Sequence, residues 1–510
     1  MLVFQSLLIL LVCAVVLTAV ARYLKLPYPS LLALGGTALA FVPHAPKFQI
    51  DPALTLALFV APALLDAAFD TSLRDLKRVW IPVMSLVFIA VGLTIVAVAW
   101  TLRWMLPDMP WAAAIAIGAI VAPPDAVAAS AVMRPLRIPH RVIVILEGES
   151  LLNDATALLV YRAAVTATMV GADFSASGAA LLSLAMVASV GVGFLLAHLY
   201  MRLMGGFRDI PSTIVLQFVA TFGIWIFAEK VHLSPIVTLV VYAITASRLS
   251  PQRTPAEQRI PSYAVWETAV FVLNVLAFVL IGLQLRPIFD SLNAIERDHY
   301  LRIAATVLGV VVAVRLGWVM LYNRAAHWKF RLFGAGVWPG PVVPSVGGSL
   351  VVGWAGMRGM VTLATAYALP DNFPHRDLAL LCAFCVVVGT LVLQGITLRP
   401  LIRAIGLTDD GSVDREVRTA QDALALVALE LLEGEASETA RVLRDEFFTT
   451  EVADETSRFS TAREERNDLR ARIVTAQRQL LVKLRDTAEI GDDAFHRIEE
   501  RLDRLEINVQ

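Results

Sequence analysis

Long apolar stretches separated by short polar ones fill most of the chain up to residue 405. A helix needs about 20 mostly apolar residues to cross a bilayer, and thirteen segments reach or approach that length. They lie at residues 2–22, 29–43, 51–69, 79–102, 111–133, 142–170, 178–201, 212–229, 233–247, 265–285, 301–323, 348–370 and 377–398. No Lys or Arg occurs in Met1–Gln5, so the first segment is predicted to be a retained helix and not a signal peptide.

Composition supports a membrane protein with a separate polar tail. Hydrophobic residues make up 57% of the 510 and charged residues 17%, whereas soluble domains have roughly 45–50% and about 25%. Residues 406–510 contain 15 basic and 25 acidic residues and carry a net charge of −10, although the whole chain carries only −1. We therefore predict a transmembrane domain at 1–405 and an acidic, helical, cytoplasmic tail at 406–510. Nucleic-acid binding is not expected, because the basic residues are dispersed.

The distribution of Lys and Arg among the loops predicts an orientation. With thirteen spans and the C-terminus inside, the inward loops hold 18 Lys and Arg and the outward loops hold 7. Positive residues favour the cytoplasmic side. The pattern predicts a multi-pass protein of the cell membrane with a cytoplasmic C-terminus.

Few ionisable residues remain inside the predicted spans, and each is costly there. The set is Asp66, Asp125, Glu147, Glu149, Asp154, Arg162, Glu229, Glu267, Arg315 and Arg358. Three of them, Asp66, Glu229 and Glu267, lie near span ends and are expected to be structural or interfacial. A structural role is also expected for Arg162 and Arg315, which can pair with carboxylates or extend to the membrane surface.

The fifth segment contains a predicted break. Pro123 and Pro124 remove two amide donors, and each ring clashes with the preceding turn. Broken backbone at membrane depth is tolerated only where it is buried or lines a cavity. Asp125 then stands at the start of the second half-helix, where the helix dipole favours a carboxylate.

The sixth segment carries the densest group of polar residues, between Glu147 and Asp154. Ser150, Asn153 and Asp154 share one helical face. Their carboxylate, hydroxyl and amide oxygens are suited to a hard cation.

The twelfth segment has glycines at 353, 356 and 359 around Arg358. Glycine weakens a helix and permits close helix approach, and Arg358 needs a partner, for which we expect Glu149. Two interrupted spans are typical of secondary transporters built from inverted repeats, which bind substrate near the midplane. The residues alone thus predict a cation-coupled transporter with a carboxylate site.

Several of these motifs resemble those of the monovalent cation/proton antiporters, in the branch of the sodium/proton exchangers. The most specific is EGESLLNDATA at 147–157, and weaker matches lie at 69–80, 266–268, 274–285 and 356–359. The resemblance extends over residues 1–405. It implies thirteen helices, of which the fifth and twelfth unwind and cross, and a homodimer.

The resemblance also assigns roles to single residues. Asp154 resembles the aspartate that binds the ion (here Na⁺) and the proton, and Ser150 resembles a cation ligand. Asn153 resembles the asparagine of electroneutral members. Glu149 and Arg358 resemble a structural ion pair. Asp125 matches the aspartate of a Thr-Asp-Pro sequence on the unwound helix, but here Pro124 replaces the threonine and can offer only its carbonyl.

The function predicted from these features is electroneutral exchange of Na⁺, with Li⁺ as a second candidate, for H⁺ in pH and sodium homeostasis. A K⁺/H⁺ exchanger is the alternative, followed by a cation channel. An enzyme is not expected, because the chain contains neither H-E-x-x-H nor G-x-S-x-G, and no cofactor is expected. Cys382 and Cys385 are predicted to be small residues on one helical face.

Overall fold

The chain folds into helices throughout its described part. A computed structural model describes residues 2–43, 51–133, 136, 138–170, 176–204, 209–253, 256–290, 292–333, 345–411 and 415, and these contain no strand. The helices in chain order are α1 (Leu2–Leu24), α2 (Tyr28–Ala40), α3 (Pro52–Phe69), α4 (Leu73–Arg78), α5 (Trp80–Met105), α6 (Trp111–Val121), α7 (Ala126–Met133), α8 (His140–Val170), α9 (Ala176–Met204), α10 (Ile210–Lys230), α11 (Pro235–Arg253), α12 (Ala256–Leu283), α13 (Leu285–Asp290), α14 (Ala294–Phe333), α15 (Val346–Trp354), α16 (Met360–Tyr367) and α17 (Arg376–Ile405).

The long apolar helices identify a multi-pass membrane protein. Seven helical stretches in the described part are long and apolar enough to cross a bilayer, and they lie in α3, α5, α9, α10, α12–α13, α14 and α17. Shorter apolar helices lie at Leu8–Leu24, Trp111–Val121 and Pro235–Ser250. Each of the thirteen predicted segments coincides with a helix or with two half-helices. The all-helical membrane fold is therefore confirmed, while the number of thirteen crossings remains a prediction.

Two helices contain π-helical turns that the hydrophobic pattern does not predict. Leu56–Val60 in α3 and Ser85–Ala90 in α5 have this wider winding. Such turns change the direction of the side chains that follow within an otherwise continuous helix. In α5 the first residue of the turn, Ser85, accepts a 3.0 Å hydrogen bond from the indole of Trp318 on α14. The turn therefore lies where α5 and α14 contact.

Close backbone contact joins α2 to α12. A Cβ atom on Gly36 would overlap the carbonyl oxygen of Val279, and one on Gly282 would overlap that of Ala33. Glycine is required at both positions because the two backbones touch. The hydroxyl of Ser30, also on α2, donates to the carbonyl of Leu391 at 2.5 Å and joins α2 to α17.

The buried apolar side chains form two clusters, and α8 contributes to both. The larger cluster includes residues of α5, α6, α12, α14 and α17. The smaller one includes residues of α3, α9, α10 and α11, together with Leu151 and Ala155 of α8. Helix α8 thus lies between two packed groups of helices, with its polar face in the middle of the molecule.

The predicted tail lies almost entirely outside the described residues. The chain divides into two compact units, Met1–Asp410 and Gly411–Gln510. Of the second unit only residues 411 and 415 are described. The acidic helical tail at 406–510 therefore stays a prediction.

Candidate ion-binding site

The predicted break in the fifth segment is present and is buried. Helix α6 ends at Val121 and α7 begins at Ala126, with Pro123 and Pro124 between them. Asp125 precedes the first turn of α7, and its Oδ1 accepts a 2.9 Å hydrogen bond from the amide of Val127. The carboxyl therefore caps a main-chain amide at the start of the half-helix, as the sequence predicts.

A second break faces the first. Helix α15 ends at Trp354 and α16 begins at Met360. The carbonyl of Met357 in this gap accepts a 2.7 Å hydrogen bond from the amide of Asp125. A Cβ atom on Gly359 would overlap the carboxyl of Asp125. The two unwound segments therefore contact each other directly, and only glycine fits at position 359.

Helix α8 contributes the polar residues that lie against this junction. The side-chain amide of Asn153 donates a 3.0 Å hydrogen bond to the carbonyl of Pro124, and Asn153 is fully buried. Its Oδ1 atom is buried and has no hydrogen-bond partner among the described residues. An unpaired buried amide oxygen is costly. This oxygen is therefore a candidate ligand for a cation.

Asp154 is a buried acid on the same face of α8 as Asn153. The residue is 6% exposed. Ser150 precedes it by one helical turn on the same face and is half-buried. Carboxylate, amide and hydroxyl oxygens here form a donor set suited to a hard monovalent cation or a proton.

The predicted ion pair between Glu149 and Arg358 is wrong, because Glu149 pairs with a different arginine. Both carboxylate oxygens of Glu149 bind the guanidinium of Arg315 on α14, one of them at 2.7 Å. Arg315 also donates to the carbonyl of Val352 at 3.1 Å, and the two charged side chains are 1% and 3% exposed. The sequence places Arg315 among the residues able to pair with a carboxylate, but it does not show which carboxylate lies within reach.

Arg358 binds main-chain carbonyls instead. Its Nε and Nη2 atoms donate to the carbonyls of Val121 and Ala122 at 3.2 and 3.1 Å, and its Nη1 donates to the carbonyl of Gly356. The carbonyls of Val121 and Ala122 lie at the C-terminal end of α6, where the helix dipole favours a cation, and Gly356 lies in the gap that follows α15. Arg358 therefore joins the two breaks electrostatically.

Gly356 separates the two buried arginines. A Cβ atom at this position would overlap Arg315 and lie 3.1 Å from Nη1 of Arg358. This glycine allows both guanidinium groups to occupy the space behind the break. The twelfth predicted segment is interrupted near its glycines, as expected. At position 356 glycine is needed because a larger residue would occupy the space of the two arginines.

Four of the remaining charged residues of the predicted spans line two cavities. One, of about 750 Å³, is lined by Arg162 and Glu229. Its wall also includes Leu158, one turn beyond Asp154 on α8, and Thr365 of α16, whose buried hydroxyl has no partner in the described part. This cavity therefore approaches the candidate site from the end of α8 that is predicted to face outward. The other cavity is lined by Asp66 and Glu267.

The two neighbouring cysteines form no disulfide. Cys382 and Cys385 are unbridged on α17, one buried and the other half-buried. The interpretation that they are small packing residues agrees with this placement.

The family model and the relatives that match this chain agree with one another. Residues 7–404 match the family described as "Sodium/hydrogen exchanger, transmembrane". An antiporter of Bacillus subtilis (strain 168), named for sodium, potassium, lithium and rubidium, is 27% identical over 99% of this chain and 78% of its own length. An uncharacterised Na⁺/H⁺ exchanger of Mycobacterium tuberculosis is 30% identical over 98% of this chain and 95% of its own length.

A solved structure shares the fold. The sodium proton antiporter MjNhaP1 of Methanocaldococcus jannaschii at pH 8 superposes with a TM-score of 0.60 at 18% identity. The match covers 79% of this chain and 99% of that one.

Proposed function

The chain belongs to the sodium/hydrogen exchanger family, and from that membership we propose that it is a secondary antiporter that exchanges Na⁺ or Li⁺ for H⁺. The exchange is electroneutral and serves pH and sodium homeostasis. The names of the relatives support sodium and lithium as the transported cations. The family match covers nearly all of the predicted transmembrane domain.

One observation carries the assignment to residues. Two broken helices contact each other at Asp125 and Met357, and the polar face of α8 meets them through Asn153 and Pro124. Asp154 is the buried carboxylate beside this junction. Buried ionisable groups at broken helices are where secondary transporters bind their ions.

The mechanism follows from competition for one carboxylate. Asp154 holds either one cation or one proton, so the ion that is released on one side of the membrane is replaced there by the other ion, which is then carried back. The Oδ1 atom of Asn153, the hydroxyl of Ser150 and the carboxyl of Asp125 complete the oxygen ligands. Asn153 carries no charge, Glu149 is neutralised by Arg315, and the Asp125 carboxyl stays bonded to the amide of Val127. Only Asp154 changes its occupant, so one cation exchanges for one proton.

Potassium is the second candidate cargo. The Bacillus subtilis relative is named for potassium and rubidium as well as sodium and lithium. Pro124 supports a site that differs from the family pattern, because its carbonyl already accepts a hydrogen bond from Asn153 and it has no side-chain hydroxyl to offer.

The membrane and assembly predictions form part of the proposal. The chain lies in the cell membrane as a homodimer, and its C-terminal tail faces the cytoplasm. The bias of Lys and Arg toward alternate loops supports this orientation.

The test uses purified protein in vesicles that contain a pH-sensitive dye. We expect added Na⁺ and Li⁺ to move protons at all membrane potentials, and a parallel K⁺ measurement decides the second cargo. Asp154→Asn should abolish the signal, whereas Asp371→Asn, at a fully exposed aspartate, should not. Wild-type exchange by Asp154→Asn would refute the assignment, and cation flux that follows the potential without moving protons would indicate a channel.

A further inference from the structure

Gln394 on α17 is a buried glutamine with an unpaired side-chain amide. The residue is 0% exposed, and neither its Oε1 nor its Nε2 atom has a hydrogen-bond partner among the described residues. A glutamine amide can donate two hydrogen bonds and accept two, and leaving all of them unmade in the interior is costly. Such a group in a folded protein indicates a role that its contacts in this conformation do not use.

The neighbours of Gln394 on α17 show which part of the molecule it faces. Thr390, Gln394 and Thr397 lie one helical turn apart on one face of the helix. Oγ1 of Thr390 accepts a 3.0 Å hydrogen bond from the main-chain amide of Arg358. Oγ1 of Thr397 accepts one of 2.8 Å from the indole of Trp354. Gln394 therefore lies against the unwound segment between Trp354 and Arg358, which is the second break.

Helix α17 and the unwound segment are in close contact at this level. A Cβ atom on Gly395, the residue after Gln394, would overlap the hydroxyl of Ser30 and lie 3.5 Å from the sulfur of Met357. Met357 is the residue of the second break whose carbonyl binds the amide of Asp125. The side chain of Gln394 is therefore next to the residue that joins the two breaks.

The unwound segment contains main-chain groups that a glutamine amide can bind. The amides of Gly356 and Met357 make no hydrogen bond in the part of the chain that the structure describes. The carbonyl of Met357 is occupied by the amide of Asp125. The segment therefore offers two donors for Oε1 of Gln394, and it offers an acceptor for Nε2 once the bond to Asp125 opens.

We propose that Gln394 is a positioning residue for the second break, an inference that rests on the proposed exchange function. When the bond between Asp125 and Met357 opens as the ion site changes its occupant, the side-chain amide of Gln394 binds the main chain at Gly356 and Met357. The unpaired amide raises the free energy of the conformation in which Asp125 binds Met357, and the new bonds lower that of the other conformation. Gln394 thereby keeps the two conformations close in free energy.

Gln394→Met tests this role, because methionine has a similar length and no amide. In vesicles that contain a pH-sensitive dye, we expect the maximal rate of Na⁺/H⁺ exchange to fall about tenfold, the effect of losing one or two hydrogen bonds. The Na⁺ concentration that gives half of the maximal rate should change little, because the oxygen ligands around Asp154 are untouched. The melting temperature should equal or exceed that of the wild type, because the variant buries no unpaired amide.

Gln217→Met is the matched control, because both ends of that side-chain amide are bonded. Nε2 of Gln217 donates to the hydroxyl of Ser262 at 3.2 Å, and Oε1 accepts from the indole of Trp266 at 2.6 Å. This variant should lower the melting temperature. A Gln394→Met protein that is destabilised to the same extent would overturn the proposal, because its amide would then stabilise the conformation in which it has no partner.

Hydrogen–deuterium exchange of the wild type provides a measurement that needs no variant. At constant pH, the amides of Gly356 and Met357 should be better protected in one of two solutions, NaCl or choline chloride, and the difference should vanish in Gln394→Met. Equal protection of the wild type in both solutions would overturn the proposal. A wild type that does not exchange Na⁺ for H⁺ would refute the proposed function together with this inference, whereas wild-type exchange by Gln394→Met would refute the inference alone.

Discussion

The amide of Asp125 donates a 2.7 Å hydrogen bond to the carbonyl of Met357, which joins the two broken helices at one point. Neither residue could make this bond inside a regular helix, where each amide and carbonyl is paired within its own segment. The bond holds the two breaks in direct contact, so the junction should be sensitive to small changes in volume.

Gly359→Ala tests that sensitivity. The added methyl group would overlap the carboxyl of Asp125, and overpacking of this kind costs about 1–3 kcal/mol. We expect exchange to fall to the vesicle background and the melting temperature in detergent to drop. Gly309→Ala on α14 is the matched control, because its Cβ would meet nothing within 4 Å. If both variants behave alike, the contact with Asp125 does not limit exchange.

The ion pair between Glu149 and Arg315 predicts a specific pattern of coupling. Removal of either partner leaves a buried charge uncompensated, at a cost of about 3–5 kcal/mol. We expect Glu149→Gln and Arg315→Met each to lower thermal stability strongly, and the double variant to recover much of the loss. A double-mutant cycle between Glu149 and Arg358 should give the smaller coupling. A coupling energy for Glu149 and Arg358 larger than that for Glu149 and Arg315 would contradict the Glu149–Arg315 pair.

Arg358→Lys tests whether the guanidinium shape is needed. A lysine retains the charge but cannot present its donors in the planar arrangement that reaches Val121, Ala122 and Gly356. We expect a loss of about 1–3 kcal/mol in stability and slower exchange. Arg302→Lys, in an exposed pair with Asp298, should change thermal stability little. An Arg358→Lys protein as stable as wild type would show that charge alone suffices.

Asp75, in the polar stretch between α3 and α5, predicts a pH effect. Burial raises its pKa, but hydrogen bonds from Ser72 and His140 and the charges of Arg74 and His140 outweigh burial, so the pKa lies below its usual 3.8. Its stabilising contribution is therefore present above the unfolded pKa and is lost as the pH falls through the lowered folded value.

Asp75→Asn should accordingly lower the melting temperature near neutral pH, and the difference from wild type should shrink below about pH 4. Thermal unfolding in detergent across this range measures the effect, with Asp371→Asn as the control. A difference that grows on acidification would mean that the ionised carboxylate does not stabilise the fold.

Local patterns predict much of the architecture and of the site. Apolar length locates the helices, the two prolines locate the break before Asp125, and helical spacing places Ser150, Asn153 and Asp154 on one face. Each of these features depends on residues near one another in the chain, where sterics and periodicity decide the outcome.

The partners of the buried arginines depend on tertiary contacts that no local pattern specifies. Glu149 and Arg315 are 166 positions apart, and a count of charges cannot tell which arginine reaches which acid. The π-helical turn at Ser85–Ala90 is likewise absent from the periodicity, because it widens the winding without interrupting the apolar run.

The carbonyl contacts of Arg358 have a consequence for mutational tolerance. Val121, Ala122 and Gly356 bind the guanidinium through main-chain oxygens, so the chemical nature of the side chains at 121 and 122 does not enter the contact. An apolar substitution of similar size at either position preserves the electrostatic environment of the arginine. The arginine therefore requires helices that end at the right places and a glycine at 356, and it does not depend on which apolar side chains stand at 121 and 122.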